Sequence, residues 1–246
     1  RPFPDIDHLG RLLVARLADA CIAHCEDASE QARQLFSYTG DTYVIPHGHF
    51  IDVFPNSVGR AEARARLGVP EEAFVYLFFG NARGYKSVES LIDAFTAVAA
   101  DDAVLLLMMR QSFDPGYAEE IRIRAADDER IRVFTSDYFP ESDFQYYLNS
   151  ADVAVLPFSE VLTSGSAITA LSFGTPVILP RRGCLPALID ASMGILYDPS
   201  SPQGLELALR HIRERDLVAG GRAALDRPRQ LDWDGIAAQV IRAYTI

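Results

Sequence analysis

Residues 75–95 read VYLFFGNARGYKSVESLIDAF, and this stretch decides the fold class of the chain. The apolar run Val75–Phe79 is typical of a strand that is buried on both faces. Gly80 and Gly84 then allow the backbone to turn. Apolar residues at helical spacing predict a helix over Val88–Ala99. The stretch therefore predicts a strand, a loop and a helix in succession.

The same alternation of short apolar runs and helical patterns continues to residue 213. The further predicted strands are Ala103–Met109, Ile131–Phe134, Val153–Leu156, Val177–Leu179 and Gly194–Tyr197. The further predicted helices are Tyr117–Ala126, Glu141–Asn149, Ser164–Phe173, Leu185–Ala191 and Pro202–Arg213. Buried strands that alternate with helices predict an α/β fold with a doubly wound, Rossmann-like parallel sheet. In this class, ligands bind at the carboxyl ends of the strands.

The first 46 residues do not continue this repeat. Their patterns predict two helices and two short strands, over Leu9–Ala18, Ala20–Ala23, Ser29–Phe36 and Tyr43–Ile45. A strand flanked by two helices cannot bury its own faces, so we interpret residues 1–46 as a partial remnant of a second α/β domain. The alternative is an ordinary N-terminal extension of the main sheet. The remaining predicted segments are a linker (47–60), a ligand-binding domain (61–230) and a C-terminal helix (231–246).

Charge and composition exclude several classes of function. The net charge is −11, whereas a nucleic-acid groove needs clustered cations, so we expect no nucleic-acid partner. The longest apolar runs are strand-sized and too short to span a bilayer. No signal-like segment opens the chain, so we expect a cytoplasmic protein. The alternative is peripheral association with the inner face of a membrane.

The three cysteines, Cys21, Cys25 and Cys184, do not follow a metal-binding spacing. Cys21 and Cys25 can offer two ligands, but no further Cys or His pair completes a set. We therefore expect no metal site and no cofactor. The odd cysteine count favours a reducing compartment.

Two cations, Arg83 and Lys86, lie in the loop after the first strand of the repeat. Lys86 is the only lysine in a chain that otherwise uses arginine for its positive charge. Lysine offers a phosphate a compact, rotatable point charge, and arginine adds a fork that binds oxygens bidentately. The loop therefore favours binding of one phosphate group. The alternative is two solvated surface cations.

A second loop with phosphate-binding features precedes the predicted helix at Ser164. Thr163 or Ser164 can cap this helix, and Gly165 and Ser166 leave room for an anion to reach the amides of its first turn. The alternative is a capped core helix that binds nothing. Because both loops follow strands of the same parallel sheet, they are expected at the same edge, where they can serve one ligand.

These stretches resemble a known family. LFFGNARGYKSVESLIDAF (77–95) is similar to the strand, loop and helix of retaining GT-B glycosyltransferases of the glycosyltransferase group 1 family. LNSADVAVLPFSEVLTSGSAITALSFGTPVILP (148–180) resembles the acidic motif, helix and Gly-x-Pro-Val strand of that family. VIPHGHFIDVF (44–54) resembles its interdomain linker, and GILYDPSSPQGLELAL (194–209) a segment near its end. The likeness covers most of residues 44–246, with the motifs in the order of the family.

The resemblance implies a hexosyltransferase-type enzyme that moves a sugar from a nucleotide-diphosphate donor to an acceptor with retention of configuration. Arg83 and Lys86 would bind the donor phosphates and stabilise the charge of the leaving diphosphate. Further donor-binding residues would be Gly80, Thr163, Ser164, Gly165 and Ser166. Tyr138, Phe139 and Pro140 would cover the nucleotide base. No metal is implied. Residues 1–43 would be the last helix, strand and helix of the acceptor-side domain. Without the rest of that domain, we expect the chain to be inactive.

The chain departs from the family pattern at its two glutamates. Seven residues separate them in the family, and counting back from Gly174-Thr-Pro places them at Val161 and Thr169. Glu160 takes the first role if the loop shifts by one residue. The second glutamate, which would hold the ribose hydroxyls, is missing.

Weaker candidates are His47 and Gly48 at the expected interdomain cleft and Arg110 at the border of the base. We expect the arginines of the C-terminal part to form a solvated face: Arg210, Arg213, Arg215, Arg222, Arg227 and Arg229.

Two other functions compete with the transferase. A nucleotide-sugar epimerase would use the same phosphate loops but needs titratable groups on the sugar. A non-catalytic module would keep the nucleotide-sugar site and lose turnover, as the missing glutamate suggests. For the transferase, the partners are a nucleotide-sugar donor and a glycan, lipid-linked or small-molecule acceptor. Membrane association is expected only through a domain outside this chain.

Overall fold

A computed structural model describes residues 6–245 of the chain. Residues 1–5 and 246, which belong to the predicted segments 1–46 and 231–246, lie outside the described residues. The chain forms two compact units, Arg1–Gly48 with Leu231–Ile246 and His49–Gln230.

In chain order, the strands are β1 (Ala20–Ala23), β2 (Asp41–Val44), β3 (Phe74–Asn81), β4 (Ala103–Arg110), β5 (Ile131–Ser136), β6 (Val153–Val155), β7 (Val177–Pro180) and β8 (Gly194–Tyr197). The α-helices are α1 (Ile6–Leu17), α2 (Glu26–Phe36), α3 (Arg60–Leu67), α4 (Val88–Val98), α5 (Pro115–Ala125), α6 (Phe144–Ser150), α7 (Gly165–Ser172), α8 (Leu185–Leu188), α9 (Gly204–His211), α10 (Leu217–Arg229) and α11 (Trp233–Tyr244). Short 3-10 segments cover Gly84–Lys86, Gln111–Phe113, Glu141–Asp143 and Ile212–Glu214.

The larger unit, His49–Gln230, is built on a six-stranded sheet in the order β5-β4-β3-β6-β7-β8, and every neighbouring pair is parallel. From β3 the chain winds outward through β4 to β5, then crosses to β6 on the other side of β3. This strand order is that of the doubly wound fold, in which the crevice between the two halves is the ligand-binding position. The predicted fold class is confirmed, and the crevice lies between β3 and β6.

The core of the larger unit explains why its strands read as continuous apolar runs. Val75–Phe79 in β3 and Ala103–Met109 in β4 are buried at every position, because helices cover both faces of the sheet. Tyr76 is buried among them, and its hydroxyl donates a hydrogen bond to the carbonyl oxygen of Leu209 in α9 (2.7 Å). Burial raises the pKa of Tyr76 to about 12, so the phenol stays protonated as a donor.

Two helices of the larger unit, α3 and α10, were not predicted. The sequence of α3, RAEARARL, shows almost no apolar periodicity, and the helix is bounded by Gly59 and Gly68. It buries Ala63 and, unexpectedly, Arg64, a residue that is only 1% exposed as a whole. α10 carries Pro228 in its last turn, a residue that argues against a helix in sequence reasoning.

Arg64 is held by an ion pair and by backbone carbonyls. Its guanidinium donates to Asp152 Oδ2 (2.9 Å) and to the carbonyl oxygens of Ser150 (3.1 Å), Pro70 (3.2 Å) and Glu71. Asp152 also accepts from the backbone N–H of Val75 (2.7 Å). This cluster ties α3 and the start of β6 to the start of β3. It therefore stabilises the central strands from the edge opposite to their carboxyl ends.

Most of the predicted linker packs on the larger unit. The backbone N–H of Phe50 donates to Ser172 Oγ (3.0 Å). The N–H groups of Ser57 and Val58 share Gln145 Oε1 as acceptor (2.9 and 3.1 Å). From His49 onward, this segment is therefore part of the larger unit.

The prediction of a solvated arginine face was wrong for Arg213 and Arg227, which are partly buried, whereas Arg215 is exposed but also bonds to the backbone. Arg213 pairs with Asp102 (2.6 Å) and stacks 4.7 Å from the ring centroid of Phe74. Arg215 donates to the carbonyl oxygens of Ala191 (2.6 Å) and Gly194 (2.9 Å), and Arg227 to those of Ala187 and Leu188. These side chains bind helices and loops together, a role that charge patterning does not reveal.

The smaller unit has a two-stranded parallel sheet, in which Ala20 of β1 lies opposite Asp41 of β2. Ile45 packs with Ile236 and Ala243 of α11. The ring of Trp233 lies against the backbone of Gly48, since a Cβ atom there would be 2.5 Å from the ring. The C-terminal helix and the N-terminal segment thus belong to one unit. Within residues 6–245, no helix combines the length and the apolar character needed to cross a membrane.

Candidate functional site

The candidate site lies where β3 and β6 end next to each other. Tyr76 pairs with Val153 and Leu77 with Ala154 across these strands, so the loops that follow leave the same edge of the sheet. The first loop contains Arg83 and Lys86, and the second leads to α7. The structure thus brings together the two loops that the sequence identified.

The first loop follows the end of β3, where Gly80 has an unusual backbone conformation. Gly80 has a φ of +151°, a conformation that L side chains rarely adopt. A Cβ atom on Gly80 would lie 3.6 Å from Ser166 Oγ in the first turn of α7. The N–H of Ala82 then donates to the carbonyl oxygen of Arg110 (2.9 Å). The backbone of the first loop therefore lies close to the first turn of α7.

Lys86 reaches across to the second loop. Its Nζ atom lies 4.1 Å from the ring centroid of Phe158 and 5.1 Å from that of Tyr85. Burial, together with the charge of Arg83, lowers the pKa of Lys86 to about 8. Within residues 6–245, Lys86 forms no ion pair with a carboxylate. Its ammonium group is thus a partly desolvated cation that a phosphate can stabilise.

Hydrogen bonds fasten the two loops together. The carbonyl oxygen of Tyr85 accepts from both the N–H (3.0 Å) and the Oγ (3.2 Å) of Ser159. Both contacts hold the peptide group that joins Tyr85 to Lys86. The loop cation is therefore held in place by the strand end that faces it.

The second loop ends in a helix N-terminus. Ser164 caps α7, and its Oγ accepts from the N–H of Ala167 (3.1 Å). The amides of Gly165 and Ser166 precede the first N–H that can bond within the helix, so they are available to an anion. Thr163 lies just before the cap and is half-buried. The predicted set Thr163–Ser166 is thus located at the edge where the first loop ends.

Near the ends of β4 and β5, two arginine side chains lie against aromatic rings. Arg83 lies with its Cζ 4.8 Å from the ring centroid of Phe113. Arg110 lies 5.5 Å from the same centroid and 5.6 Å from that of Tyr138. Arg110 also donates from Nε to the carbonyl oxygen of Asp137 (2.9 Å). Arg110 thus contacts the predicted base loop through Tyr138, and its place at the border of the base stays a prediction.

The predicted base loop follows β5. Tyr138 is 60% exposed, and its backbone N–H and carbonyl both bond to Ser136 Oγ (3.3 and 2.7 Å). Phe139 packs on the core, 6.0 Å from the ring of Tyr147, and Pro140 is exposed. Of the three residues, Tyr138 and Pro140 are therefore exposed, whereas Phe139 packs on the core, and their part in base binding stays a prediction.

The two positions of the family glutamates differ in environment. Glu160 is exposed in the second loop, whereas Thr169 is buried in α7 and its Oγ1 donates to the carbonyl oxygen of Gly165 (2.8 Å). Thr169 is thus committed to its own helix. The glycine at position 183 fixes a neighbouring loop, since a Cβ atom there would lie 2.4 Å from the carbonyl oxygen of Val161.

The remaining candidates lie in the smaller unit. His47 donates a hydrogen bond from Nδ1 to the carbonyl oxygen of Gly48 (2.7 Å), and its ring lies 5.9 Å from that of Trp233. Their role in a cleft stays a prediction. Among the described residues, no group of three or more His, Cys, Asp or Glu side chains is arranged to hold a metal ion.

Sequence reasoning missed three contributors to the site: Phe113, Phe158 and Ser159. The phenylalanines read as ordinary apolar residues, because only the folded chain shows cations above their rings. Ser159 gave no signal either, since its partner is a backbone carbonyl distant in sequence. A pattern search for cations can find Arg83 and Lys86 but not what holds them.

Comparison with known proteins identifies the family of the chain. A family model described as Glycosyl transferases group 1 matches residues 73–215. The chain is 28% identical to a D-inositol 3-phosphate glycosyltransferase of Streptomyces avermitilis, over 99% of the chain and 55% of the relative. It is 29% identical to the enzyme of that name from Geodermatophilus obscurus, over 100% of the chain and 56% of the relative. The chain therefore spans little more than half of the length of these relatives.

Solved structures share the fold. Sucrose-phosphate synthase from Thermosynechococcus elongatus superposes with a TM-score of 0.80 at 23% identity, covering 99% of this chain and 62% of that one. Anabaena Alr3699/HepE in complex with UDP-glucose gives a TM-score of 0.81 at 20% identity, covering 99% and 68%. The predicted GT-B-like architecture and the predicted family are both confirmed. The chain belongs to the glycosyl transferases group 1 family.

Proposed function

We propose that this chain carries the donor site of a glycosyltransferase that uses a nucleotide-diphosphate sugar and transfers the sugar with retention of configuration. The observation that carries the proposal is the meeting of two anion-binding loops at the β3–β6 crevice. Arg83 and Lys86 come from one loop and the first-turn amides of α7 from the other. One diphosphate can contact both.

The chemistry follows from where charge develops. When the bond between the anomeric carbon and the donor phosphate breaks, negative charge grows on the leaving diphosphate. Arg83 and Lys86 stabilise that charge, and the low-dielectric setting of Lys86 strengthens its effect. The helix amides of Gly165 and Ser166 add fixed dipoles. These groups neutralise the diphosphate without a metal ion, and we propose that none is required.

The relatives support a nucleotide-sugar donor. HepE has been solved with UDP and with UDP-glucose, and another structural neighbour, a sucrose-phosphate synthase, is named for its sugar product. We infer that the base of the donor lies beside Tyr138, between the ends of β4 and β5. We propose Glu160 as the carboxylate near the sugar. With Thr169 committed to Gly165, the ribose hydroxyls must be bound by other groups.

We propose that the smaller unit is part of an acceptor-side domain. Its two-stranded parallel sheet is too small to bury its own faces, and the chain covers only 55–56% of its relatives. The acceptor, whether glycan, lipid-linked or small molecule, would then bind mainly outside these residues. Any membrane association would also occur through that domain. We expect the 246 residues alone to bind donor nucleotide without transferring sugar. Efficient transfer by this chain alone would contradict the domain interpretation.

The experiment for the function uses donor sugars labelled at the anomeric carbon, with the longest form of the protein that can be expressed. Release of nucleoside diphosphate with transfer of the label supports the transferase, and an anomeric signal of unchanged configuration in the product supports retention. A product that stays attached to the nucleotide as a different sugar would identify an epimerase. Tight binding with no turnover would identify a binding module.

The lowered pKa of Lys86 predicts a pH dependence for donor binding. A bound diphosphate favours the charged ammonium, so affinity is full below pH 8 and falls as the pH rises through the pKa of about 8 in the free protein. Between pH 7 and pH 9, we expect the affinity for the nucleoside diphosphate to fall about tenfold. Calorimetric titration at several pH values measures it.

The matched control is Lys86→Arg, because a guanidinium stays charged throughout this range. We expect the affinity of this variant to change little between pH 7 and pH 9. An equal fall in the wild type and in Lys86→Arg would mean that another group titrates, and the assignment to Lys86 would be wrong.

A further inference from the structure

Phe113 sits beneath two guanidinium groups at the edge of the candidate site. Its ring centroid lies 4.8 Å from Arg83 Cζ and 5.5 Å from Arg110 Cζ. The ring is 46% exposed, although it belongs to a residue type that is usually buried. One exposed ring therefore contacts two guanidinium groups, which come from the ends of two different strands.

Neither arginine is neutralised by a carboxylate. Within residues 6–245, Arg83 and Arg110 form no ion pair, although the chain contains 34 acidic residues. The nearest acid on the same turn, Asp114, uses its carboxylate to cap α5 by accepting from the N–H of Tyr117 (3.0 Å). Two like charges beside one ring repel each other, and the negative face of the ring offsets only part of that cost. An anion bound between them would remove it.

The ring stands on a firmly anchored turn. Ser112 Oγ (3.2 Å) and Arg110 Nε (2.9 Å) both donate to the carbonyl oxygen of Asp137 after β5. At the other end of the turn, the hydroxyl of Tyr117 in α5 donates to Glu89 (2.5 Å) and accepts from the N–H of Val88 (3.0 Å) in α4. Burial and the bond to Glu89 raise the pKa of Tyr117, which keeps the hydroxyl protonated. The position of Phe113 is thus fixed from both sides.

Arg83, by contrast, is exposed in the first loop. Its side chain makes no hydrogen bond to the part of the chain that the structure describes, so its stacking on Phe113 is what restrains it. A long side chain that is already restrained loses less conformational entropy when it binds a ligand. The ring therefore acts on the ligand through the arginine.

We propose that Phe113 is a positioning residue that holds the guanidinium of Arg83, with Arg110 beside it, ready for the phosphate oxygens of the donor. This inference rests on the proposed function, since it assigns the residue that organises one of its phosphate-binding groups. Loss of the ring in Phe113→Leu should weaken binding of the nucleoside diphosphate about two- to fivefold, the range of a cation–π contact at an exposed site.

The test is a double-mutant cycle measured by calorimetry. The probes are the one among UDP, GDP, ADP and dTDP that the wild type binds most tightly, and its monophosphate. Phe113→Leu should weaken the diphosphate more than the monophosphate, and Phe113→Tyr should restore the affinity because it keeps the ring. In an Arg83→Ala background, Phe113→Leu should have no further effect. Urea unfolding of each variant should show an unchanged midpoint, because an exposed ring contributes little to the core.

Three results would overturn the proposal. They are unchanged affinity in Phe113→Leu, an equal loss for diphosphate and monophosphate, or a loss that persists in the Arg83→Ala background. The second would place the ring against the nucleoside instead. If the wild type binds none of the four diphosphates, the proposed function fails and this inference falls with it. If the wild type binds a diphosphate and Phe113→Leu binds it equally well, only this inference fails and the proposed function stands.

Discussion

Replacement of Lys86 by alanine is expected to weaken nucleoside-diphosphate binding by about tenfold to a hundredfold, since a hydrogen bond to a charged group contributes roughly 1.5–3 kcal/mol. In the complete enzyme, donor turnover should fall further, by about 10²–10³-fold, because the lost cation stabilises charge that grows in the transition state. The fold should be unaffected, since the ammonium lies at a loop and makes no ion pair with the described residues. Calorimetry with the diphosphate and its monophosphate measures the effect.

Two controls make the Lys86 result specific. Lys86→Arg keeps a charge and should retain most of the diphosphate affinity at pH 7. The monophosphate, which lacks the second phosphate group, should be affected less than the diphosphate by Lys86→Ala. Equal affinity of the wild type and Lys86→Ala for the diphosphate would make Lys86 a surface residue with no part in the site.

Replacement of Arg64 by alanine is expected to destabilise the larger unit by about 3–5 kcal/mol, because it removes a buried guanidinium and leaves Asp152 with only the exposed Arg60 and the N–H of Val75 as partners. The side chain of Arg64 is 2% exposed and that of Asp152 is 12% exposed. Three backbone carbonyl groups would lose their donor at the same time. For a unit of this size, the melting temperature should fall by roughly 6–20 °C. Urea and thermal unfolding measure it.

Arg60→Ala is the matched control, because Arg60 pairs with the same carboxylate (2.5 Å) but is 49% exposed. An exposed pair contributes about 0–1 kcal/mol, so this variant should unfold close to the wild type. Similar unfolding midpoints for Arg64→Ala and Arg60→Ala would show that burial gives the Arg64 pair no special weight. The role assigned to Arg64 in holding β3 would then be wrong.

The fold class was predictable because both faces of the sheet are covered. A strand that is buried on both faces needs apolar residues at every position, so it appears in the sequence as an unbroken apolar run such as Val75–Phe79. α3 could not be predicted, since its stability comes from Arg64 and a carboxylate distant in sequence rather than from an apolar face. α10 could not be predicted for a different reason, since Pro228 in its last turn argues against a helix.

The site was only partly predictable. Glycines, cations and a capping serine after two strands gave Gly80, Arg83, Lys86 and Ser164, because the chemistry of phosphate binding selects those residue types. The groups that organise these residues left no pattern. Phe113 and Phe158 act through their rings, and Ser159 acts through the carbonyl oxygen of Tyr85. Such contacts depend on the meeting of distant loops, which spacing along one chain does not encode.

The central claim is that the β3–β6 crevice binds the diphosphate of a nucleotide sugar. The most direct measurement is thermal unfolding of the chain with UDP, GDP, ADP and dTDP, for the wild type and for Lys86→Ala. A nucleotide at a hundred times its dissociation constant adds about 2.7 kcal/mol to the free energy of unfolding. We predict a clear upward shift of the melting temperature with one of the four, which identifies the base, and its loss in Lys86→Ala. No shift with any of them, or a shift that Lys86→Ala leaves unchanged, would contradict the claim.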